Sequence, residues 1–73
     1  MKRVSELSEK AEGKVLDITA EPLVRERLLE FGIAPGQTIK VLRCLAFAGP
    51  IIVQVGPLFL AMRSDEADQV WVE

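Results

Sequence analysis

Three carboxylates stand close together near the end of the chain, Asp65, Glu66 and Asp68. Acids spaced by one and three converge on one side of a turn, where their oxygens would take a weakly bound divalent ion, iron or zinc. The ordinary use of such a run is to complement the dipole of a helix in its first turn. Cys44 is a second candidate, as a thiolate ligand or a redox sensor. It is the only cysteine and the chain holds no histidine, so no soft metal site can be completed around it, and it is expected to act as a small buried hydrophobe. Arg25, Arg27, Arg43 and Arg63 carry planar guanidinium forks that match carboxylates and phosphates. Nucleophilic catalysis lacks its parts, because Ser5, Ser8, Ser64, Thr19 and Thr38 have no imidazole to take up a proton. Acid–acid catalysis stays formally open, but a non-catalytic protein is the expectation.

The elements that position these groups must come from 73 residues, of which 49% are hydrophobic and 27% charged, with a net charge of -2. A chain of this length hides only about 60% of the surface its unfolded form exposes, so one small domain over residues 1–73, without a deep substrate pocket, is expected. With 9 basic residues against 11 acidic ones there is no cationic footprint for phosphate, which argues against nucleic acid as a partner. A single thiol cannot form an internal disulfide, which points to a reducing, cytoplasmic compartment. Met1 to Lys14 is studded with charges and does not read as a signal peptide. Cys44 to Met62 has no charged side chain and the length of a membrane span, yet Gly49-Pro50 and Gly56-Pro57 break it into strand-sized pieces. Pro50–Val55 and Leu58–Met62, rich in β-branched or bulky residues about a Gly-Pro turn, read as a hairpin and not as a membrane insertion.

Residues 1–13 read as a lead-in, extended or with a single turn, anchored by Leu7. Lys14–Ile18 reads as a strand, and Thr19–Pro22 as a turn that opens a helix with proline at its first position. Val24, Leu28 and Phe31 follow helical spacing and Leu29 widens the stripe. Gly32 suits a left-handed helix cap, and Pro35 forbids continuation. Ile33–Gly36 makes a tight turn into a strand from Thr38 to about Ala46, with Ile39, Val41 and Leu45 alternating against Lys40, Leu42 and Cys44. After the hairpin, Ser64–Ala67 reads as one helical turn capped by Ser64, and Val70–Glu73 as the last strand. The sum is a mainly β fold, a small five-stranded SH3-like barrel with one α-helix between strands 1 and 2 and a short helical turn before the last strand.

The run Arg27-Leu-Leu-Glu-Phe-Gly-Ile-Ala-Pro-Gly36, followed by Ile39–Arg43, Pro50-Ile51, Leu60–Arg63, Glu66-Ala67 and Val70–Val72, resembles the FeoA family from about Leu7 to Glu73. Its most specific part is the helix stop at Phe31–Gly36, in which Gly32, Pro35 and Gly36 are backbone devices. Two turns depart from the family pattern, at Ala48-Gly49-Pro50 and at Gly56-Pro57. The resemblance implies a small cytoplasmic SH3-like barrel that accompanies the membrane ferrous iron transporter FeoB, whose cytoplasmic part is a GTP-binding domain. The same fold ends the iron-dependent repressors related to the diphtheria toxin repressor.

Alternation in the strands sends Ile51, Val53, Val55, Leu58, Leu60, Met62, Val70 and Val72 inward. Ile52, Phe59, Ala61 and Trp71 then point outward, with Phe47 and Ala48 at a loop, and an apolar outer face of this kind marks an interface for self-association or partner docking unless the lead-in or the helix covers it. Leu28, a leucine of the family motif, and Arg43 and Arg63, each ending a strand at a family position, complete the candidate contacts. A structural pairing of the arginines with Glu66 or Glu30 would explain them equally well. Glu6, Glu9 and Glu12 read as a solvated face.

The leading functional reading is a non-catalytic accessory module of ferrous iron uptake that binds the cytoplasmic GTP-binding domain of the transporter and modulates it, with no required cofactor. The alternative is a stand-alone metal-responsive regulatory domain of the repressor type, in which an ion shifts an assembly equilibrium. No helix-turn-helix is present to read DNA.

Overall fold

The computed structural model describes residues 1–45 and 49–73, so Phe47 and Ala48 lie outside the described residues. Six strands make one antiparallel sheet: β1 (Lys2–Arg3), β2 (Glu12–Ile18), β3 (Thr38–Cys44), β4 (Ile51–Val55), β5 (Leu58–Met62) and β6 (Val70–Val72). Their order in the sheet is β1-β6-β2-β3-β4-β5. A 3-10 turn (Val4–Glu6) follows β1, and α1 (Pro22–Glu30) and α2 (Ser64–Ala67) complete the chain.

β2 bends the sheet. Its first half, Glu12–Lys14, pairs with β3, while Val15, Asp17 and Ile18 pair with β6, and a bulge between Val15 and Asp17 lies at the start of that second half. A bulge bends its strand and sharpens the twist, so one strand serves two sheet faces that enclose the core. Close approach at this corner requires glycine: a Cβ on Gly13 would lie 3.0 Å from the Val72 Cβ and 3.1 Å from the Glu73 carbonyl.

The lead-in does more than the sequence predicts. Lys2 and Arg3 pair with Val72 and Trp71, which raises the strand count from five to six and leaves the sheet unclosed between β1 and β5. Two residues are too few to show an alternation, which is why this strand is silent in the sequence. The anchor is Val4, with 0% of its surface exposed, and Leu7 only packs against the edge of the core.

α1 begins on Pro22 as expected. It ends in a Schellman motif, in which the Ile33 N–H donates to the Leu28 carbonyl at 3.0 Å and the Gly32 N–H to the Leu29 carbonyl at 3.0 Å. Gly32 supplies the required positive φ of 89°, and the accompanying apolar contact falls to Leu28 and Ile33, both fully buried. Leu28 is therefore the residue that ties the helix to the barrel core; its loss would cost about 2–5 kcal/mol.

β3 is interrupted by a bulge between Val41 and Arg43, so that Arg43 stands opposite Ile52 and Cys44 opposite Ile51. The extra residue shifts the alternation and turns Leu45 out to solvent, where the unbroken pattern would have put it inward. Cys44 is exposed rather than buried, and its backbone N–H donates to Glu9 Oε2 at 2.8 Å. Glu9 thus pins the strand end, and Glu6 accepts from the Arg3 N–H at 2.8 Å, so two acids of the solvated run have local structural work.

β4 and β5 form the expected hairpin in the register Val55↔Leu58 to Ile51↔Met62. Gly56 has a φ of 57°, the conformation that the first central position of a type II′ turn requires, while the proline ring holds Pro57 at the negative φ of the second. Ile51, Val53, Val55, Met62, Val70 and Val72 face the core as alternation predicts. Leu58 does not; at the hairpin tip it overhangs the core and keeps 40% of its surface exposed.

Candidate functional site

The helix stop and the hairpin turn meet at one end of the barrel. Between them runs a shallow groove of about 430 Å³ whose walls are Glu30, Phe31, Gly32 and Ala34 on one side and Val55, Gly56, Pro57 and Leu58 on the other, with Gln37 at one end. The Schellman turn reverses the chain after Phe31, which carries that ring out of the core stripe and leaves it 42% exposed. Phe31 and Leu58 thus offer a pair of partly exposed apolar side chains, edged by the exposed carboxylate of Glu30. The Gln37 end is tied to the sheet, because Gly36 and Gln37 exchange backbone hydrogen bonds of 2.8 Å with Val15. Such a surface can seat an apolar side chain from another macromolecule. A groove at Phe31 was weaker in the sequence than a place on the buried helix stripe, and alternation sent Leu58 inward; nothing local joins the helix stop at Gly32 to the Gly56-Pro57 turn, which β3 and β4 separate in the chain and only the fold brings together.

Phe59 lies next to this groove and is 62% exposed, with Ala61 and half-buried Ile52 on the same outer face of β4 and β5. Trp71 is elsewhere. It sits on β6, separated from β5 by β2, β3 and β4 in the sheet order, and the lead-in covers it: the Arg3 guanidinium carbon lies 5.6 Å from the ring centroid. Its indole N–H donates to Thr19 Oγ1 at 3.3 Å. The expected single outer apolar face is therefore two patches, one of them already occupied. Leu28, with 1% of its surface exposed, is core and unavailable to a partner. Arg43 and Arg63 are exposed at strand ends, and Arg63 lines a second hollow of about 430 Å³ with Pro50, Ser64 and Asp65. Phe47 lies outside the described residues.

The three acids do not converge. One oxygen of Glu66 accepts from the Arg63 N–H at 3.0 Å and the other from the Arg27 guanidinium, so that the N-cap position of α2 falls to Arg63 rather than Ser64, and Glu66 satisfies its N–H. The arginine that pairs with Glu66 through its side chain is Arg27, from α1, rather than Arg43 or Arg63. Asp68 accepts from the Ser5 hydroxyl, and Asp65 is exposed. Among the described residues no three carboxylates or thiols are placed to hold a metal ion, and the oxygens of Glu66 are committed to protein donors, so these residues do not fit a resident metal. Nor do the described residues include a helix long and apolar enough to cross a membrane. The carboxyl of Glu6 is held below its ordinary value by the hydrogen bond from the Arg3 N–H and by the nearby Arg3 charge.

Comparison with known proteins places the fold. The FeoA protein of Chlorobium tepidum, known from a solution structure, is 37% identical and superposes with a TM-score of 0.89 over 96% of this chain and 67% of that one. FeoA of Stenotrophomonas maltophilia, crystallised with zinc and described as a prokaryotic SH3 domain protein, is 28% identical with a TM-score of 0.87 over 100% of this chain and 91% of that one. The architecture is thus mainly β and SH3-like, with six strands. A curated relative from Porphyromonas gingivalis, a fusion of Fe(2+) transport protein A with the Fe(2+) transporter FeoB, is 27% identical over 71 residues, 97% of this chain. The chain spans 8% of the length of that relative. The FeoA domain profile matches residues 2–73, and this chain belongs to the FeoA domain family.

Proposed function

We propose that this chain is a non-catalytic accessory module of ferrous iron transport that docks on the cytoplasmic GTP-binding region of a FeoB-type transporter. The observation that carries this reading is the fusion, in Porphyromonas gingivalis, of a similar stretch to a ferrous iron transporter within one polypeptide. Covalent linkage keeps two modules at high effective concentration, and separate chains that act together must replace it with a binding surface. The groove between Phe31 and Leu58 is the candidate surface: it offers two partly exposed apolar side chains, carries the Glu30 carboxylate at its edge, and is tied to the sheet at its Gln37 end. Binding there would act by contact, through the partner's conformational equilibrium, with iron as the transporter's cargo. Replacing Phe31 and Leu58 with serine should weaken binding of the transporter's GTP-binding region at least about tenfold, as for truncation of central interface side chains. Unchanged affinity in a folded variant would remove the groove from the reading.

A further inference from the structure

β5 is an edge strand of an unusual kind. Among the described residues it pairs with β4 alone, so one side of its backbone has no strand beside it. Natural edges are guarded by charges, prolines within the strand or bulges, because an open row of N–H and C=O groups templates another strand. Leu58-Phe-Leu-Ala-Met62 has none of these, and its pairing with β4 runs without a register shift.

The register identifies the open groups. A two-residue turn makes its flanking residues a hydrogen-bonded pair, here Val55 and Leu58, and such pairs then alternate along the hairpin through Val53–Leu60 to Ile51–Met62. The N–H and C=O groups of Phe59 and Ala61 consequently point away from β4, to the open edge.

This spacing is self-complementary. We propose that two copies of the chain associate by antiparallel pairing of β5 with β5 about a two-fold axis at Leu60, joining two sheets into one. Phe59 of each copy exchanges reciprocal hydrogen bonds with Ala61 of the other, and Leu60 faces its own counterpart in a non-hydrogen-bonded pair. Residues opposite one another share a face of the sheet, so the exposed Phe59 ring comes to lie over the small side chain of Ala61, a match of large against small that occurs on both sides of the axis. Charge agrees with this arrangement. No like charges meet along β5, and Arg63 of one copy falls opposite Pro57 of the other, on the wall of the groove whose rim carries Glu30. Dimerisation would then add a cationic residue to that groove.

Sedimentation velocity across a dilution series, with Cys44 replaced by serine to exclude adventitious disulfides, should show a reversible monomer–dimer equilibrium. Ala61→Lys, which sets a charge against Phe59, should give monomer at every concentration while leaving the circular dichroism spectrum unchanged. The register is tested by Leu60→Cys in the Cys44→Ser background. Non-hydrogen-bonded partners have Cα atoms about 4.5 Å apart, within disulfide range, so mild oxidation should give a covalent dimer, whereas Ala61→Cys should not, since residue 61 faces 59 and not itself. A folded wild-type chain that stays monomeric throughout, or a dimer that survives Ala61→Lys and fails to cross-link through residue 60, would overturn the proposal.

Discussion

Glu66 and Arg27, 39 positions apart in the chain, form the ion pair that ties α2 to α1. The glutamate side chain is 12% exposed and the arginine 54%, so the two partners are not equivalent. Glu66 has a second duty, accepting the Arg63 N–H that opens α2, and removing it leaves a helix-start donor and a guanidinium without their acceptor.

Glu66→Ala is therefore expected to destabilise the fold by about 1–3 kcal/mol. Arg27→Ala, which removes only a largely solvated partner, should cost less than about 1 kcal/mol. Urea unfolding of the two variants measures both, and equal losses would show that the cap contributes nothing beyond the ion pair.

Acid should loosen the lead-in through Glu6. Its folded carboxyl is held below the ordinary value of 4.5, first by the Arg3 N–H and then by the Arg3 charge. A depressed folded value means that this contribution is present above about 4.5 and is lost as pH falls through the folded value. The protection of the β1 to Glu6 amides, taken as exchange relative to the intrinsic rate at each pH, should fall over that interval, and Glu6→Gln should show the lower protection already at neutral pH, with no further change on acidification.

Gly13 and Gly32 resist substitution for different reasons. At Gly13 a methyl group meets Val72 and the Glu73 carbonyl, so Gly13→Ala should cost about 1–3 kcal/mol by overpacking. At Gly32 space is available, the nearest atom being 3.8 Å away, but φ is 89°, so Gly32→Ala should cost about 1–2 kcal/mol of backbone strain. Gly32→Asn, which tolerates the left-handed region, should recover part of that loss in thermal unfolding, while Gly13→Asn should be worse than alanine.

Phe59 and Trp71, each replaced by serine, should separate. Trp71→Ser removes a ring that Arg3 and Thr19 already engage, so it should lower the melting temperature and leave partner binding intact. Phe59→Ser, which removes a ring that is 62% exposed in the single chain, should leave the melting temperature of the dilute monomer nearly unchanged and should weaken association of the concentrated chain. Calorimetric melting with a parallel binding assay distinguishes them, and a stability loss confined to Phe59→Ser would reverse the assignment.

Much of the fold is legible in the residues. Pro22 and Gly32 bracket α1, Gly56-Pro57 marks the hairpin, and alternation from Ile51 to Val55 names a buried face. What alternation cannot reveal is a bulge, since an inserted residue leaves no compositional trace; the one near Leu42 turned Leu45 outward and left Cys44 at an exposed strand end. The site was less legible than the fold. Phe31 obeys helical spacing, yet the cap geometry that follows it decides its exposure, and Trp71 reads as an outward aromatic until Lys2 and Arg3 pair beside it. Glu66 shows the same limit for chemistry: its neighbours in sequence are acids, but its neighbours in space are donors.

The most direct test of the account is a calorimetric titration of this chain against the cytoplasmic GTP-binding region of a FeoB-type transporter from the same genome, run with ferrous iron and again with a chelator. Saturable binding of equal affinity in both runs, weakened in the Phe31→Ser/Leu58→Ser variant, is the predicted result. Binding that appears only with iron, or no binding at all, would contradict it.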